Sequence, residues 1–153
     1  MRLKEEKNKK LEYLRGVENR ISRNLFWIAG GVGVTSMIMM IIAFFTRGAF
    51  PSGTMSMFYL GIVIVYAFHR ELTRWLSEHE GKIERHGEYF VYAWIALTTI
   101  FYLIDFFTKG YFSTSPTGEH LPTLRETASL TIEVLIIFIL TRGLKVLRIA
   151  LEK

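Results

Sequence analysis

Glu133 stands inside Leu130 to Leu140, where nine of the eleven residues are apolar, and Asp105 closes a run from Tyr89 to Ile104 that carries no formal charge. In water neither carboxylate would matter. In a stretch greasy enough to sit in lipid, an acidic side chain near the middle costs about 2.5–3.5 kcal/mol, while each Leu, Ile, Phe or Val returns roughly 0.3–0.6. A helix around Glu133 is therefore marginal alone, and its carboxylate has to face neighbouring helices or a water-filled crevice. Trp94, Thr98, Tyr102 and Asp105 fall on one helix face at 100° per residue, a polar and aromatic line ending at the aspartate. Two chemistries fit. Glu133 and Asp105, with Tyr102 and Thr98, form a proton or cation pathway; or Asp105 pairs with Lys109 at i,i+4 and Glu133 hydrogen-bonds a nearby hydroxyl, and both are structural.

Other reactive combinations are weaker. His69, His79 and His86, with Glu71, Glu78, Glu80 and Glu84, are metal-ligand types, but no two histidines stand at i,i+3 or i,i+4, and the segment reads as a solvated charged loop. The chain has no cysteine, which excludes disulfides, thiolate metal sites and cysteine nucleophiles. Gly30, Gly31 and Gly33 do not make a phosphate loop, because no strand precedes them and no Lys-Ser/Thr follows. A Ser/His/Asp set cannot be assembled on one side of a membrane, since His120 lies outside and the other histidines inside. No catalytic, metal-binding or cofactor-binding residue is assigned, and the chain is expected not to be an enzyme.

The elements that must position Glu133 and Asp105 are membrane helices. Asn24 to Thr46 is uncharged and bracketed by Arg23 and Arg47. It exceeds the roughly 20 residues that a hydrocarbon core of about 30 Å requires, and it is too long for a signal-peptide core. Further spans fall at about 54–70, 88–107 and 126–147, so the expected fold is all-α: an integral membrane bundle of four transmembrane helices over 24–147. Amphipathic cytoplasmic extensions flank it at 1–23 and in the basic tail 148–153. Of the 19 Lys and Arg, 8 lie in the N-terminal tail, 4 in 69–88 and 4 in the C-terminal tail, against 3 in the two remaining loops. The positive-inside rule then places both termini in the cytoplasm and the protein in the plasma membrane, with four crossings. All three prolines, Pro51, Pro116 and Pro122, lie in the two outer loops, which leaves the spans unbroken and argues against broken-helix transporter designs.

Two surfaces invite partners. Ala29, Gly33 and Ser36, continued by Met40 and Ala43, make a small-residue seam on the first span, which permits close packing where lipid supplies no hydrophobic drive. Leu11, Leu14, Val17, Ile21 and Leu25 make a narrow apolar stripe on the charged N-terminal helix. That helix either lies on the anionic inner leaflet or forms a short coiled coil. The formal charge of +5 is distributed around apolar runs rather than over one polar domain, pointing to lipid headgroups and away from nucleic acid.

Arg142, Lys145 and Arg148 recur at every third residue after an apolar stretch, and Phe68 precedes Glu71. With four helices and both ends inside, these patches resemble the gating helix and the charge-transfer pair of voltage-sensor domains, which implies gating-like roles for the three basic residues. The resemblance is confined to the two patches, and the first span has no acidic partner. The function expected first is a non-enzymatic membrane component that packs against itself, as a homo-oligomer, or into a larger membrane complex. The competing expectation is the ion or proton pathway.

Overall fold

In the computed structural model, which describes residues 2–76, 87–115 and 117–151, the chain forms four helices. They are α1 (Arg2–Phe45), α2 (Met55–Leu76), α3 (Gly87–Phe107) and α4 (Thr123–Leu151). Three carry stretches long and apolar enough to cross a membrane: Arg20–Phe45 in α1, Glu88–Phe107 in α3 and Thr123–Leu144 in α4. The remaining helix differs for a simple reason. Its uncharged run from Met55 to Phe68 spans roughly 21 Å at 1.5 Å per residue before His69, Arg70 and Glu71 interrupt it. Of the charged segment over 69–88, expected as a solvated loop or a helical extension, residues up to Leu76 extend α2, and His79, Glu78, Glu80, Glu84 and His86 lie outside the described residues.

The helices alternate in direction. At one end, Arg47 after α1 meets Thr114 after α3, and Ser52 before α2 meets Glu126 in the first turn of α4. At the other end, Phe26 of α1 meets Tyr66 of α2 and Phe90 of α3, while Arg142 of α4 pairs with Glu88 of α3. We call the first the loop end and the second the terminal end. Neighbouring contacts run α1 to α2 to α4 to α3 and back to α1, with a closer diagonal between α1 and α4.

Helix ends follow from local chemistry. Arg47 and Gly48 close α1 at φ 53° and 77°, and Lys109 and Gly110 close α3 at φ 55° and 81°. In each case the glycine N–H reaches back five residues, Gly48 to the Ala43 carbonyl at 2.9 Å and Gly110 to the Asp105 carbonyl at 2.8 Å. This left-handed cap satisfies carbonyls that the ended helix would otherwise strand. Between α3 and α4 the chain makes a small hairpin turn, Leu121 N–H donating to the Ser113 carbonyl at 2.8 Å and Ser115 N–H to that of Glu119 at 2.7 Å. α4 then starts at Thr123, three residues before the expected Glu126, because Pro122 supplies a helix-compatible φ and its carbonyl accepts the Glu126 N–H at 2.8 Å.

α1 is one helix of 44 residues, from the charged tail through the apolar span. No break interrupts the helix over residues 2–45. The apolar stripe is thus carried on the same rod as the span, with Val17 and Ile21 exposed.

Candidate functional site

The centre of the molecule is a plug. Trp94, Tyr59, Phe44, Phe101, Met40 and Leu130 are all less than 2 % exposed and pack into one cluster. Phe44 stacks on Phe101 with centroids 4.2 Å apart and planes within 4°, and also on Phe112 at 5.1 Å. Offset and stacked rings of this kind add about 0.5–1.5 kcal/mol per pair beyond their burial.

Several polar groups in the plug are closed upon one another, while the buried Ser36 hydroxyl on α1 has no hydrogen-bond partner among the described residues. The Trp94 indole N–H donates to the Tyr59 hydroxyl at 3.1 Å, and the Thr98 and Thr131 hydroxyls lie 2.6 Å apart. Thr131 and Thr127 also donate back to carbonyls one turn earlier in their own helix, those of Thr127 and Thr123, both at 2.8 Å. Satisfied in this way, hydroxyls hold helices together in an apolar surround without a desolvation penalty.

Ala29 and Ser36, at 4 % and 1 % exposed, lie with Gly33, Met40 and Ala43 on the buried face of α1. The gap at Gly33 is filled by a ring rather than by a neighbouring backbone. A Cβ built there would meet Tyr59 Cε2 at 2.9 Å, closer than real contacts allow, whereas one on Gly31 meets nothing. Glycine at 33 leaves the room that the Tyr59 ring occupies against α1, where its hydroxyl accepts from Trp94.

The two carboxylates are at separate tasks. Asp105 Oδ1 accepts the Ser113 N–H at 2.9 Å, anchoring the first residues of the α3–α4 loop. The expected Asp105–Lys109 ion pair is not formed among the described residues, because Lys109 has already left the helix at φ 55°. Glu133 is half-buried and accepts a hydrogen bond from Ser129 Oγ at 3.2 Å, one turn earlier in α4. The face Trp94–Thr98–Tyr102–Asp105 divides accordingly: Trp94 is in the plug, Thr98 bonds α4, Tyr102 is half exposed and Asp105 serves the loop.

Tyr102 instead borders an open cleft of about 610 Å³ at the loop end, between α3, α4 and the turn around Ser113, His120 and Leu121. Arg125 and Ser129 line it from α4 with Leu124, Ala128 and Ile132. Ser129, which lines the cleft, donates its hydroxyl to Glu133 and so links the two. Helical spacing gives this away only in part: Arg125, Ser129 and Glu133 stand at i, i+4 and i+8, but the loop residues join them only once the turn is folded.

At the terminal end Arg142 pairs with Glu88 in the first turn of α3 and lies over the Phe138 ring, 5.2 Å from its centroid. Lys145 and Arg148 continue α4, their side chains outside the described residues. Phe68 is 65 % exposed while Glu71 is buried, so the two do not form an occluded pair facing α4. Among the described residues no group of His, Asp and Glu side chains is placed to hold a metal ion. No protein-family model matches the chain, and searches of curated proteins and of solved structures return no significant match.

Proposed function

We propose that this chain is a non-enzymatic integral membrane protein that crosses the plasma membrane four times, with both termini cytoplasmic, and serves as a packing component of a homo-oligomer or larger membrane complex. The observation that carries the reading is the plug. Its six largest apolar side chains fill the centre, and Trp94 with Tyr59 and Thr98 with Thr131 form closed pairs, which among the described residues supports packing rather than a polar lane between the ends of the molecule. In this reading α2, short as its uncharged run is, crosses because α1 and α4 shield it and because Arg70 and Tyr66, joined at 3.2 Å, sit at its interfacial end. The 16 to 3 bias of basic residues toward the termini and the 69–88 segment supports the orientation.

Cleft-side placement of Glu133 favours a second reading, in which the carboxylate exchanges protons or cations with the loop side. Proteoliposomes separate the two. With the wild-type chain reconstituted, the packing reading expects no proton or cation flux at either sign of membrane potential. A pH-dependent flux that Glu133→Gln abolishes in a folded protein would replace it with the pathway.

A further inference from the structure

The ends of α1 and α3 are spelled alike. Phe44-Phe45-Thr46-Arg47-Gly48 recurs as Phe106-Phe107-Thr108-Lys109-Gly110, and Phe50 recurs as Phe112, each shifted by 62 residues. The same left-handed cap closes both. Ala29 and its counterpart Val91 are both buried, at 4 % and 5 % exposed, but Met40 and Phe44 are buried while their counterparts Tyr102 and Phe106 are exposed, so beyond that shared position the two helices bury different sides. Helices α1 and α3 run parallel, as do α2 and α4. The α1–α2 and α3–α4 hairpins are thus two copies of one unit, set side by side by a displacement.

Units related by a displacement have a front and a back. The front of the first hairpin is covered by the back of the second: Phe44 stacks on Phe101 and Phe112, Phe26 meets Phe90, and Arg47 donates to the Thr114 carbonyl at 3.0 and 2.6 Å. On the front of the second hairpin the counterparts of Phe44 and Arg47 are open, while that of Phe26, Glu88, pairs with Arg142. Phe106 is 77 % exposed, Lys109 is exposed with no partner among the described residues, and the cleft beside Tyr102 lies next to them. On the back of the first hairpin, Ile28, Ile42 and Phe50 are 51 %, 45 % and 67 % exposed. Of their counterparts, Phe90 and Phe112 meet Phe26 and Phe44 of the first hairpin, and Ile104 packs against the shared core.

We propose that a second copy of this chain docks front to back, its Ile28–Ile42–Phe50 face covering Phe106 and the adjoining cleft, so that the contact joining the two hairpins within a chain is repeated between chains. The contact is heterologous and closes into a ring or continues as an open array. It deepens the packing reading, on which it rests, by naming the faces and the partner.

Because the chain lacks cysteine, the contact can be read by disulfide trapping. Phe50→Cys and Phe106→Cys, both at exposed positions, are made in separately tagged copies, co-expressed and oxidised in native membranes with copper phenanthroline. The expected result is a product joining the two tags, with little from either variant expressed alone. Self-products from Phe106→Cys or Phe50→Cys alone would mean a two-fold interface and overturn the proposal. Absence of any product, when a small maleimide labels both cysteines, would mean that lipid covers these faces and would overturn it as well. Native mass determination on the same membranes separates the levels: an oligomer without the mixed product removes only the front-to-back contact, whereas a monomer removes the packing reading too.

Discussion

Phe44 and Phe106 sit in the same five-residue phrase, at the same turn of parallel helices, yet Phe44 is wholly buried and Phe106 is 77 % exposed. Arg47 and Lys109 divide in the same way. Arg47 bridges to the Thr114 carbonyl and lies 4.2 Å from the Tyr111 ring centroid, while Lys109 is exposed. The local sequence dictates the cap in both copies, because the cap is closed by backbone hydrogen bonds within a few residues. What the side chains do next depends on whether another hairpin lies beside them.

This contrast can be broken by substitution. Phe44→Ala should give the largest effect: emptying a packed core of a phenylalanine costs about 3–5 kcal/mol, and the lower end, about 3, is expected where lipid rather than water is the outer medium. Phe106→Ala should change the stability of the detergent-solubilised monomer by no more than about 0.5 kcal/mol. Thermal unfolding in mild detergent measures both, and equal losses would mean that the two copies are equally packed.

Next in size is the seam. Gly33→Leu pushes against the Tyr59 ring and should destabilise by about 1–3 kcal/mol, while Gly31→Leu, with open space around it, should cost little beyond its helix propensity. A Gly33→Leu protein as stable as wild type would place the tight contact elsewhere. Arg47→Ala should cost on the order of 1 kcal/mol for its carbonyl bond and ring contact at a part-exposed site, against nothing measurable for Lys109→Ala in a monomer. The smallest effect belongs to Glu133→Gln, which keeps the Ser129 contact and removes the burden of a half-buried charge, so stability should hold or rise slightly.

The helical class and the three helices long and apolar enough to cross a membrane are legible from uninterrupted hydropathy, since lipid admits little but helices over such runs. The expected span in α2 is harder to read because that helix joins a short uncharged run to a charged extension. Continuity of α1 was equally hidden: Glu5, Glu6, Lys9 and Lys10 support a helix but do not show whether it bends at the membrane. The Tyr59–Trp94 contact across Gly33 could not be found from spacing along either helix, since it joins residues on different hairpins. Asp105 has the residue type of a pathway group and the hydrogen bond of a loop anchor, a difference set by Ser113, eight residues away. The repeated Phe-Phe-Thr-Arg/Lys-Gly phrase, by contrast, stands openly in the sequence. Comparing the chain with itself at a 62-residue shift reveals it, while hydropathy windows pass over it because each copy merely ends an apolar run.

Self-association is where the packing account is most exposed to refutation. Native mass spectrometry of the full chain, extracted from its own membrane in mild detergent, should give whole multiples of the 17.8 kDa protomer or a larger assembly containing it. A single 17.8 kDa species at every detergent and protein concentration that preserves the helical fold would contradict the account.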